Sequence, residues 1–134
     1  SIYEGTTQLQ VVAAIRHVTT GTYFNMIREY QAQEVKPELM WLRDNLMAMT
    51  ESYEKAVNTV TEAKDTAYVD FMARRLVEMA GNIIMGYLLL SDANRNDEFV
   101  HSAEVYNKLA QAEVAKHADF IANFKPEQQE IYKA

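Results

Sequence analysis

Apolar residues recur along this chain at spacings of three and four, the signature of helices with one buried face. Leu9, Val12, Ala13 and Ile15 open the pattern behind Thr6 and Thr7, whose hydroxyls suit a helix N-cap. Thr19-Thr20-Gly21-Thr22 then weakens helix propensity, and Tyr23, Met26, Ile27 and Tyr30 resume it, so the first helix is expected to kink or break near Gly21. Lys36-Pro37 marks a new start, since proline suits a first helical turn. Leu39, Leu42, Leu46, Met49, Tyr53, Val57 and Val60 follow as one stripe. Residues 61–65 form the next boundary, with Asp65 as the cap. The third stripe is Val69, Met72, Leu76, Met79, Ile83, Tyr87 and Leu90. Gly81 and Gly86 interrupt it and are expected where another helix comes close. Residues 91–97, rich in Asn and Asp, read as a turn. The last stripe is Phe99, Ala103, Tyr106, Ala110, Val114, His117, Ile121 and Phe124, stopped by Lys125-Pro126.

Long amphipathic helices joined by short turns pack antiparallel, because each apolar face must find another. The expected fold is therefore all-α: an up-down antiparallel bundle of about four helices. Composition agrees. With 49% hydrophobic residues the 134-residue chain can bury one core, and 4 Gly and 2 Pro are too few for a loop-rich or all-β domain. A net charge of −6 argues against nucleic acid and against an anionic membrane surface as partner. The absence of Cys excludes disulfides, thiolate nucleophiles and Cys-bound metal. The longest apolar run, residues 83–90, is too short to span a bilayer, so no transmembrane segment is expected.

The candidate chemistry lies at the start of the chain. Glu4 is a carboxylate at a helix entry, able to act as a general base toward a weakly acidic C–H if held close and partly dry. Gly5 removes bulk beside it, and Thr6, Thr7 and the free N–H groups of the first turn suit an anion or phosphate. A plainer reading has Glu4 only complementing the helix dipole, and on residues 3–6 alone that reading carries more weight.

The longer run Ile2-Tyr3-Glu4-Gly5-Thr6-Thr7-Gln8-Leu9-Gln10, continuing into Val-Val-Ala-Ala-Ile-Arg, resembles the base-bearing segment of acyl-CoA dehydrogenases. The resemblance implies that Glu4 is the catalytic base removing the α-proton of an acyl-CoA thioester, while the β-hydrogen leaves as hydride to FAD. It implies that the backbone N–H of Glu4 helps polarise the thioester carbonyl. Gly5 and Tyr3 would line the substrate, and Thr6, Thr7 and Gln8 would touch FAD. Val11 departs from the pattern, standing where arginine is common. In the family this segment lies near the end of the catalytic domain, and the long helical stretch behind it resembles the branch with an extra C-terminal helical domain. The chain is thus expected to be the tail of a larger flavoprotein: residues 1–18 the end of a catalytic domain, 19–126 a helical bundle, 127–134 a polar tail. The parent is expected to be homo-oligomeric. Its electrons would pass to an acceptor such as electron-transfer flavoprotein, in a bacterial cytoplasm or a mitochondrial matrix. The fragment alone would be inactive. The rival reading is a free-standing bundle serving as an interaction module.

The remaining candidates read more plainly. His101 and Glu104 stand one turn apart, but a carboxylate-bridged metal site needs more ligands on facing helices, and no second Glu-x-x-His exists, so a surface pair is expected and no metal is assigned. His117 lies on an apolar stripe and is expected to pack. Met40, Met47, Met49, Met72, Met79 and Met85 read as core rather than as an adaptable groove. Arg74-Arg75 reads as a solvated ion pair rather than a phosphate clamp.

Overall fold

Helix formation follows the apolar stripes closely. The computed structural model describes residues 21–128 and holds, among them, four α-helices: α1 (Thr22–Gln31), α2 (Met40–Glu62), α3 (Thr66–Arg95) and α4 (Val100–Asn123). Short 3-10 turns at Pro37–Leu39 and Asp97–Phe99 lead into α2 and α4, and a third lies at Pro126–Gln128. Connections this short force α2, α3 and α4 to run antiparallel in turn. The 30-residue α3 is the central element, packed against all three others. The fold is the all-α bundle that the spacing predicts.

Local chemistry sets the boundaries. Gly21 adopts φ 79°, a left-handed conformation that glycine takes without a Cβ penalty, and α1 begins directly after it. The kink or break expected near Gly21 concerns a helix whose first part, before Gly21, lies outside the described residues. Asp65 caps α3 by accepting from the Tyr68 N–H at 3.2 Å. The turn before it is closed by Lys64, at φ 52°. The expected turn over 91–97 is a correction: α3 runs on to Arg95 and Asn96 alone carries the extended backbone that ends it. The polar residues there act as anchors instead. Asn94 accepts from the Lys36 N–H at 2.8 Å and donates to the Glu34 carbonyl at 2.7 Å, and Ser91 donates to Gln33. They tie the α1–α2 connection to the end of α3.

The α2 stripe is buried throughout, from Leu39 to Val60, and so is the α3 stripe from Met72 to Leu90. The methionines divide. Met49, Met72 and Met79 belong to the core, whereas Met85 is 45% exposed, contrary to expectation, and Met26 of the first stripe is also largely outside. Phe99, expected on the α4 stripe, is exposed in the turn before it. One buried group was not anticipated. Asn107 donates to the Leu42 carbonyl at 3.1 Å and accepts from Asn45 at 2.9 Å, pinning α4 to α2.

The two α3 glycines differ. A Cβ on Gly86 would lie 2.5 Å from Leu46 Cδ2, so α2 and α3 approach closely there, as expected. Among the described residues a Cβ on Gly81 would meet nothing within 4 Å, and Gly81 is exposed, so none of the four described helices makes the close approach expected at that position. The substitutions should have opposite signs. Gly81→Ala should stabilise by about 1 kcal/mol through helix propensity. Gly86→Ala should destabilise, because overpacking costs ~1–3 kcal/mol against the same gain. Urea denaturation in dilute solution checks both, and equal signs would refute the assignment.

Candidate functional site

The residues that carry the sequence argument for chemistry, Tyr3, Glu4, Gly5, Thr6, Thr7 and Gln8, lie outside the described residues. The described residues begin at Gly21, and early in α1 Phe24 meets Tyr53 of α2 with ring centroids 4.9 Å apart. Further along α1, Tyr30 stacks on Tyr87 of α3 at 6.3 Å. Large aromatic side chains thus hold α1 on α2 and α3.

Buried tyrosines are a feature of this core. Burial, with Tyr23 beside it, pushes the Tyr53 phenol far above its ordinary value. Burial also raises Tyr68, with Glu127 adding to it, and Tyr106. It raises Tyr87 too, where Thr50 and Arg43 pull the other way. A phenol that resists ionisation when folded stabilises the fold fully below pH 10, the unfolded value, and that contribution is lost as pH rises from there toward the folded value. Stability should therefore hold steady from pH 7 to 9 and fall above pH 10, by up to ~1.4 kcal/mol per pH unit per buried tyrosine. Denaturant titrations paired with phenolate absorbance test this. Full ionisation at ordinary values with no loss of stability would contradict it.

A second cluster joins α3 to α4. His117 is buried, and its Nε2 lies 2.9 Å from Glu78 Oε2 and 3.8 Å from Glu113 Oε2. The contact with Glu78 is close but not aligned as a hydrogen bond. Lys116 holds Glu113 at 3.0 Å. Arg75 lies over Phe120, 4.0 Å from the ring centroid, and 5.4 Å from that of Phe71. Phe71, Phe120 and Phe124 form one aromatic group, and the Tyr68 hydroxyl donates to the Phe124 carbonyl at 2.7 Å. A cleft of 260 Å³ opens here, lined by Arg74, Arg75, Glu78, Lys116, His117 and Phe120. It contains a histidine–carboxylate contact but no hydroxyl or thiol that such a pair could activate. The expected solvated ion pair at Arg74-Arg75 is thus corrected: Arg75 is a half-buried cation–π partner. The signal available was Phe71 four residues before Arg75, one helical turn away. His117 packs on its stripe as expected, though against carboxylates as well as apolar groups.

His101 is exposed and Glu104 half-buried, and among the described residues no three His, Asp or Glu gather as metal ligands would. The two larger grooves, 560 Å³ between α1 and α3 and 380 Å³ between α2 and α4, are lined by side chains of helices whose interior N–H groups are already used. No flavin cradle with free backbone donors lies among them.

A family model described as acyl-CoA dehydrogenase C terminal matches residues 19–129, a span that includes every described helix. The chain belongs to the acyl-CoA dehydrogenase C-terminal family. The crystal structure of an acyl-CoA dehydrogenase family protein from Porphyromonas gingivalis is similar to this acyl-CoA dehydrogenase C-terminal domain, with 50% sequence identity and a TM-score of 0.81. The similarity covers 85% of this chain and 99% of that one. A comparison with curated proteins found no match. Of the described residues, α3 alone is long and apolar enough to cross a membrane by length and composition. In this acyl-CoA dehydrogenase domain the apolarity has a simpler cause, since α3 is the helix that packs on every other.

Proposed function

We propose that this domain is the C-terminal part of an FAD-dependent acyl-CoA dehydrogenase that converts an acyl-CoA to the trans-2-enoyl-CoA. The observation that carries the reading is the family match beginning at residue 19, directly behind the motif that contains Glu4. Two independent stretches of one chain thus resemble the same family in the same order. Residues 1–18 would close the catalytic domain and 19–126 would form the appended bundle.

Glu4 would take the α-proton on its carboxylate, with its own N–H drawing charge onto the thioester oxygen. Gly5 would leave room for the thioester, and Tyr3 would wall the acyl group. Thr6, Thr7 and Gln8 would hold FAD, which supplies the hydride acceptor. The bundle's part is architectural. It buries its own core and holds α1 through the contact of Phe24 with Tyr53. The domain alone would be inactive, because the flavin and acyl pockets need the rest of the enzyme. The parent would be a homo-oligomer passing electrons to a soluble acceptor such as electron-transfer flavoprotein, in a bacterial cytoplasm or a mitochondrial matrix.

The test is anaerobic mixing of the full-length protein with a panel of acyl-CoAs while the oxidised flavin band is followed. Bleaching with one chain-length class is expected. A full-length protein that binds no flavin would overturn the proposal.

A further inference from the structure

The outward face of α3 is patterned as though a helix belonged on it. Arg74, Glu78, Gly81, Met85, Leu88, Asp92 and Arg95 are exposed or half-exposed and alternate at spacings of four and three, a heptad seam separate from the buried stripe. Scattered exposed apolar residues are ordinary, but here Met85 and Leu88 stand together. A groove of 560 Å³ lined partly by Tyr30 and Leu89 runs beside them. Gly81 is the sharper observation. A glycine inside a helix costs about 1 kcal/mol, and this one admits no neighbour from its own bundle among the described residues.

We propose that this face is a self-association surface on which α3 of a second copy lies antiparallel. The charges select the arrangement. A parallel pair in register would set Glu78 against Glu78 and Arg95 against Arg95. The antiparallel register that places Met85 against Leu88 of the second copy also places Glu78 opposite Arg95, with the small Gly81 opposite Asp92. The neighbouring antiparallel register sets Gly81 against Met85 but buries Glu78 on Leu88, an unpaired carboxylate on an apolar side chain. Asp92 already holds Arg95 at 2.8 Å, so the guanidinium is positioned on the seam. Such a contact is isologous and closes as a two-fold dimer. The inference concerns this domain's own surface and does not depend on the proposed reaction.

Sedimentation equilibrium of the 134-residue chain from about 1 µM to about 1 mM tests it. A reversible dimer is expected, with Leu88→Glu raising its dissociation constant at least ~10-fold while the circular dichroism of the helices is unchanged. Glu78→Lys and Arg95→Glu should each weaken the dimer, and together restore it. Loss of the His117 contact is common to Glu78→Lys and the double variant, so it cancels in the cycle. A monomer over the whole range, as would follow if residues 1–20 cover this face, overturns the proposal. So does a dimer indifferent to Leu88→Glu, or one without coupling between positions 78 and 95.

Discussion

Leu46→Ala is expected to remove about 2–5 kcal/mol of folding free energy. Leu46 has no exposed surface, and its Cδ2 occupies the place that a side chain on Gly86 would otherwise take. It therefore fills the space between α2 and α3 beside Gly86, and its removal leaves a void that two long helices held by other contacts cannot easily collapse. The same geometry gives a sharper test than the single variant. Gly86→Ala should destabilise the native chain, yet in the Leu46→Ala background the new methyl enters vacated space and the penalty should vanish or reverse. The expected coupling is about 0.5–3 kcal/mol. It is measured by urea denaturation of the two single variants and the double. Additive losses would mean that Leu46 and Gly86 do not share the space assigned to them.

Glu4→Gln in the full-length enzyme is expected to slow flavin reduction by acyl-CoA by roughly 10²–10⁴-fold, the range over which a positioned general base contributes. The substitution keeps the size of the side chain and the backbone N–H, so it removes proton abstraction while leaving the proposed polarisation of the thioester intact. Flavin content should stay at the native level. Acyl-CoA affinity should change little, so the loss falls on kcat rather than KM. Equal bleaching rates in the native and Gln forms would place the base elsewhere while leaving the family membership untouched. That separates the residue assignment from the reaction, which the flavin-binding measurement tests by itself.

How much of this was legible beforehand differs by element. The α2 stripe from Leu39 to Val60 and the α3 stripe from Met72 to Leu90 were read correctly, because a helix buried on one side repeats with the period of the helix itself. The cap at Asp65 was legible for a related reason: it is solved by a single residue's own side chain. The errors share another cause. Residues 91–97 looked like a turn because Asn and Asp favour turns, but their side chains found partners on the distant segment 33–36, which let the helix continue to Arg95. Nothing in the local pattern marks Asn107 as buried, because its partners, Asn45 and Leu42, are more than sixty positions away. Arg75 looked solvated because the aromatic ring that takes it, Phe120, comes from α4.

By itself the sequence determined the class of fold, the number and order of helices that the described residues contain, and the resemblance of residues 2–10 to a base-bearing segment. Each of these is written in local spacing or in a contiguous string. Only the tertiary structure decided that Gly86 is a contact and Gly81 is bare, that Met85 and Leu88 face outward, and that His117 sits between Glu78 and Glu113. Helical periodicity reports that a helix has two faces. Which neighbour fills a face, and which face is left open, depends on the packing of segments far apart in the chain, and no local pattern encodes that.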